Sequence, residues 1–147
     1  MQSKLARPTV SRSALQAPME GMAPDLVEQV KRCPIDHTSS IVGKKFTFLI
    51  LRNMMNFSHT KFSQLLTVEG INPKTLSLRL REMRKNGIID RKVYQETPVR
   101  IEYFLTEKGK ALRSLLDQMT AFSIQHFPNE IFKDGKARSL AEFCGEL

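Results

Sequence analysis

Lys74, Thr75, Ser77, Leu78 and Arg81 fall within eight residues at spacings that, on a helix, keep them off the stripe made by Leu76, Leu80 and Met83. Hydroxyls and cations so grouped can hydrogen-bond to base edges in a DNA major groove, and an outward leucine can meet a thymine methyl. A stray surface leucine would look the same. Two further cations suit the flanks. Lys61 stands at the start of an earlier short helical stretch, facing a phosphate backbone. Arg100 follows Pro98 at the tip of a hairpin, where arginine suits a narrow, strongly negative minor groove. Arg79 and Arg84 are placed for phosphates or for pairs with Glu82 or Asp90, and Lys44-Lys45 for phosphates or plain solvation.

A second kind of chemistry attaches to Cys33. With Pro34 at a first helical position, Cys33 takes the N-cap, where free amides and the helix dipole favour a thiolate, and Lys31 and Arg32 add positive charge. That makes Cys33 a candidate redox-sensing residue, although a small residue that buries readily needs no chemistry to be there. Cys144 reads as packing beside Phe143. His37, His59 and His126 match no metal or triad spacing, and no glycine-rich phosphate loop or paired-carboxylate motif occurs. No catalytic residue, metal or cofactor is therefore expected, and His37 reads as a structural histidine on a core-facing helix.

The elements that must position these residues are marked in the sequence. Asn72 caps a helix whose first residue is Pro73, and Asn86-Gly87 closes it, with Gly87 free to turn left-handed. Ile88–Tyr94 and Val99–Leu105 are β-branched and aromatic runs joined by Gln95–Pro98, which predicts a hairpin. Val99, Ile101, Tyr103 and Leu105 face inward, while Phe104 interrupts the polar side. Thr106 caps one continuous helix through Leu112, Leu115, Leu116, Met119 and Phe122. Upstream, Leu26, Val27 and Val30 predict a short helix ending near Lys31-Arg32. Helices follow over Asp36–Val42 and Thr47–Asn56, then one over Lys61–Val68 capped by Thr60. The fold class is α+β, mostly α: a winged helix-turn-helix with a two-stranded wing and flanking dimerisation helices.

The chain has 147 residues and a formal charge of +8. From Asn72 to Arg113 stand 11 basic and 5 acidic residues, a net +6, leaving 12 basic and 10 acidic elsewhere. Concentration on one helix and one ribbon is the electrostatic footprint of a phosphate-binding surface. No apolar run is long enough for a membrane span or a secretory signal, so a cytoplasmic protein without a membrane partner is expected. Residues 1–24, proline-bearing and without apolar periodicity, predict a disordered tail. Residues 25–127 predict the DNA-binding domain, and residues 128–147 a C-terminal helical extension.

CPIDHTSSIVGKKFTFLILRNM, KFSQLL, INPKTLSLRLREMRKNGIIDRKVY and PVRIEYFLTEKG, in that order and at that spacing, resemble the HxlR family of bacterial and archaeal winged-helix transcriptional regulators, relatives of the MarR regulators. The likeness spans about residues 33–123. It implies a homodimer on a partly palindromic operator in double-stranded DNA, the helix Asn72–Lys85 in the major groove and the wing arginine Arg100 beside it. It also implies that an electrophile or oxidant is a candidate effector at a cysteine just before the first core helix, where Cys33 stands. Two other readings fit a winged helix: an architectural DNA binder, and a protein-interaction module, which would not need +6 on helix and hairpin.

Overall fold

The computed structural model describes residues 29–145. The chain divides into two units, Met1–Ser40 and Ile41–Leu147. The 1–24 tail, and Leu26 and Val27 of the expected first helix, lie outside the described residues. Gln29–Cys33 is not helical, so that helix does not reach Lys31-Arg32. The first described helix, α1, is Pro34–Val42. His37 N–H donates to Cys33 O at 2.9 Å, which puts Cys33 at its start as Pro34 requires. His37 is exposed rather than core-facing, with its Nδ1 3.2 Å from the Arg32 guanidinium.

Within the second unit, α2 (Thr47–Asn56) supplies Ile50, Leu51 and Met54 to the core. The next helix, α3, is the single turn Phe62–Leu65. Its N-cap is Lys61 and not Thr60, because Gln64 Oε1 accepts from both the Thr60 and Lys61 amides at 3.0 Å and so fixes the start one residue later. The helix α4, Pro73–Lys85, buries the expected stripe of Leu76, Leu80 and Met83 against Ile50, Leu51, Leu65 and Ile89. Gly87 takes the left-handed conformation after it, with φ +70°.

Strands β1 (Ile89–Tyr94) and β2 (Arg100–Leu105) pair antiparallel, with Ile89 opposite Leu105 and Tyr94 opposite Arg100. The period of two sets Ile89, Leu105, Tyr103 and Ile101 on one face. Lys92, Tyr94, Arg100, Glu102 and Phe104 lie on the other, where Phe104 is exposed. The ribbon is held at its base. Thr106 N–H donates to Ile88 O while its hydroxyl, 2.6 Å from Gly87 O, donates there, and Gly109 packs so closely that an added Cβ would lie 2.0 Å from Ile88 O.

The expected single helix after Thr106 is two: α5 (Glu107–Lys110), capped by Thr106 Oγ1 accepting from Gly109 N, and α6 (Arg113–His126). The break at Ala111–Leu112 comes from a tighter i→i+3 bond, Leu112 N–H to Gly109 O at 3.1 Å. Two short helices follow, α7 (Pro128–Ile131) and α8 (Leu140–Cys144). Cys144 is exposed and not packed. No helix among the described residues is long and apolar enough to cross a membrane.

Candidate nucleic-acid interface

Helix α4 is oriented by three local devices. Asn72 Oδ1 accepts from Thr75 N–H at 2.8 Å and satisfies one of the open amides at the helix start. The buried stripe then fixes rotation about the helix axis. Glu82, on the helix flank, fixes its position against the 43–46 turn: Lys44 Nζ lies 2.5 Å from Glu82 Oε1, and Arg79 Nη1 lies 2.8 Å from Oε2. Arg79 Nε also donates to Lys45 O at 2.9 Å. The Lys44 ammonium, and after it Arg79, hold the Glu82 carboxyl below the usual carboxylate range against the opposing effect of burial.

This network separates two sets of cations. Lys44 and Arg79 share the single carboxylate of Glu82, which leaves the trio with a net charge of +1, and Lys45 lies 4.9 Å from the centre of the Phe46 ring. Among the described residues, Lys61, Lys74, Arg81 and Lys85 have no carboxylate partner, and all four are exposed. Ser77 and Leu78 share the exposed side of α4, Leu78 at 44 % exposure, while Thr75 is half-buried at the edge beside its cap. Lys74, Ser77, Leu78 and Arg81 thus come together on one outward face, as their spacing predicts.

Beyond Arg81 that face runs into a cleft of about 390 Å³ between the end of α4 and the wing base, bounded by Arg81, Arg84, Lys85, Asp90 and Thr106. Arg84 Nε is 3.9 Å from Asp90 Oδ1, a loose contact. Lys85 extends the positive surface, although it is not among the DNA contacts expected from the sequence. The signal for Lys85 was present, since it lies one turn beyond Arg81 on the same side.

Arg100 is arranged differently. Its guanidinium makes 3.0 and 3.2 Å contacts with Glu96 and a 2.7 Å contact with Glu102, and it stacks 3.7 Å from the centre of the Tyr94 ring. Glu96, and secondarily Glu102, hold it more firmly protonated than an ordinary arginine. The Tyr94 hydroxyl donates to Glu102 at 3.2 Å, closing the cluster. The charge at the wing tip is therefore paired within the protein.

Around Cys33, Arg32 Nε binds Asp36 Oδ2 at 2.8 Å, so this cation is shared with a carboxylate rather than left for the sulfur. The thiol is free and half-buried. Among the described residues no group of three or more acidic, histidine or cysteine side chains is placed to hold a metal ion.

The HxlR-like helix-turn-helix family profile matches residues 41–131, more than half of the chain. The chain is similar to the HTH-type transcriptional regulator sll1512 of Synechocystis, 38 % identical over 87 residues, covering 59 % of this chain and 64 % of that protein. It is also similar to the HTH-type transcriptional regulator YodB of Bacillus subtilis, 37 % identical over 95 residues, covering 63 % of this chain and 84 % of YodB. The solved reduced form of YodB superposes with a TM-score of 0.57 over 65 % of this chain and 95 % of that one, at 35 % identity. The oxidised form of HypR, described as a redox regulator, gives a TM-score of 0.57 over 62 % of this chain and 94 % of that chain, at 30 % identity.

Glu82 generates a prediction. Its folded-state carboxyl titrates below the unfolded value of about 4.3, so its stabilisation is complete above that pH and is lost as pH falls through the folded value. In urea unfolding, Glu82→Gln will be less stable near neutral pH by a few tenths to about 1 kcal/mol, Lys44 being partly solvent-screened. The difference from the unmodified protein will shrink as pH falls below the unfolded carboxyl value and through the lower folded-state one. A difference constant with pH would show that the ion pairs contribute nothing.

Proposed function

Because the chain belongs to the HxlR-like helix-turn-helix family, and is thus a transcriptional regulator with a DNA-binding fold and not an enzyme, we propose that it reads a partly palindromic operator as a homodimer in the cytoplasm. Helix α4 enters the major groove. Lys74, Thr75, Ser77, Leu78 and Arg81 meet base edges or the phosphates next to them, and Lys61 and Lys85 hold the backbone. The observation that carries this reading is the division of cations: those on the outward face of α4 lack carboxylate partners, while those on its flank are tied to Glu82. Arg100 joins the interface only by exchanging its two carboxylates for phosphate oxygens, so its part is secondary to that of α4.

Dimerisation is supported by the stripe Met119, Phe122 and Phe127, which stays 43 to 59 % exposed along and just beyond α6. A two-fold pairing through α6 would set two recognition helices about one DNA turn apart, ~34 Å. Residues 128–147 form an extension beyond that DNA-reading core. The architectural and protein-docking readings are separated by selecting binding sites from random duplexes, with light scattering on the same samples. The expected result is a dimer selecting an inverted repeat, with base preferences changed at defined positions by Arg81→Ala. A monomer, no enriched motif, or an unchanged motif for Arg81→Ala would contradict the reading.

Sensing through Cys33 is the finer part of the proposal. It is supported by the position of this sulfur at the start of α1 and by the likeness to a protein described as a redox regulator. Treatment with a quinone should lower operator affinity of the unmodified protein and leave Cys33→Ser unaffected. Equal responses of the two would assign the signal elsewhere.

A further inference from the structure

The second unit holds a groove of about 510 Å³ that DNA recognition does not use. One wall is α2, through Phe48, Leu49 and Arg52, continuing into Phe57. The other is α6, through Leu116, Met119 and Thr120. Phe143 of α8 reaches the same space. Phe143 stacks edge-on against Phe132 at 6.1 Å, and Arg138 covers the Phe132 ring while pairing with Asp134. The segment that delivers Phe143 lies beyond residue 131, where the family match ends.

The size falls within the range of pockets for drug-sized ligands, which are mostly apolar with a few converging polar groups. Here the walls are phenyl rings, leucines and the Met119 thioether, which favour an aromatic body. The polar groups are unequal. Arg113 is 3.2 Å from Asp117 Oδ1 and donates to Asn56 Oδ1 at 2.8 Å, so it joins the two helices and is neutralised. Arg52 donates only to the neutral Asn53 amide and has no carboxylate partner among the described residues. Two arginines and one aspartate leave the groove with one uncompensated positive charge, borne by Arg52.

A second copy of the chain is the competing occupant. The exposed Phe122 lies about 120° round α6 from Leu116 and about 160° from Thr120, so a partner seated on the Phe122 side meets the groove only at its Met119 rim, about 60° away, and leaves the Phe48, Arg52 and Thr120 part open. We propose that the groove between α2 and α6, closed on one side by Phe143, is an effector site for an aromatic monoanion, its ring among Phe48, Phe57, Met119 and Phe143 and its charge on Arg52. Because α2 packs on the core that also carries α4, occupancy is placed to alter DNA binding. That consequence rests on the function proposed above; ligand binding does not.

The test uses 1-anilinonaphthalene-8-sulfonate, an aromatic monoanion, beside the neutral N-phenyl-1-naphthylamine, both followed by fluorescence with the full chain in the absence of DNA. We expect one sulfonate probe per protomer. Arg52→Gln should weaken it about tenfold, as for loss of a charge-assisted contact, with the neutral probe unchanged. Thr120→Phe should fill the groove and exclude both probes, and unaltered thermal unfolding would show that these variants fold. Binding insensitive to both substitutions, no binding, or dimers dissociating in step with probe occupancy would each overturn the proposal. The last would identify the groove as the seat of a second copy. Probe binding with no operator binding would leave the site standing and remove the regulatory reading.

Discussion

Glu82 is where the recognition helix is fastened to the rest of the domain. The buried leucine stripe of α4 sets which way the helix faces, but hydrophobic contact is non-directional and leaves sliding along the core weakly resisted. Two contacts to the preceding turn oppose that sliding: Glu82 binds Lys44, and Arg79, held by the other oxygen of Glu82, donates to Lys45 O. The turn is a demanding one. Phe46 sits at φ +75°, a left-handed conformation that costs a residue with a side chain about 1 kcal/mol or more, and its ring packs on the core. A carboxylate on the side of a basic helix therefore stabilises the fold and leaves the cations of the outer face unpaired.

The wing follows the opposite rule. Its register places Tyr94 opposite Arg100, whose guanidinium stacks on that ring and pairs with Glu102 of its own strand and Glu96 of the loop, so the charge at the tip is paired within the hairpin. The unpaired positive charge consequently runs from the outer face of α4 to the cleft at Lys85, and the charge at the hairpin tip is paired. On the function proposed above, sequence discrimination would fall to the helix, with the wing as a flank anchored at Thr106 and Gly109.

What could be read in the sequence was whatever is decided locally. The Asn72 cap, the Leu76, Leu80 and Met83 stripe, the Gly87 terminus and the hairpin depend on neighbours within a few residues, and each appears in place. The Arg100 cluster was not legible, because whether Glu96 and Glu102 reach the guanidinium depends on the curl of the loop and on strand register. The Ala111–Leu112 break was hidden for a similar reason: apolar periodicity continues across it, and only the packing of Gly109 under Ile88 O tightens the turn. His37 misled because an apolar neighbourhood in sequence is not burial. The apolar groove has no local signature, since its walls come from segments more than 50 residues apart.

The division of cations is tested most directly by the salt dependence of operator binding. Each phosphate contact contributes a slope of about 0.9 in log K against log salt. Lys85→Gln should reduce the slope by about that amount, while Lys44→Gln, which removes a cation already held by Glu82, should leave it unchanged. Equal losses of slope for the two variants, or a loss only for Lys44→Gln, would contradict the account.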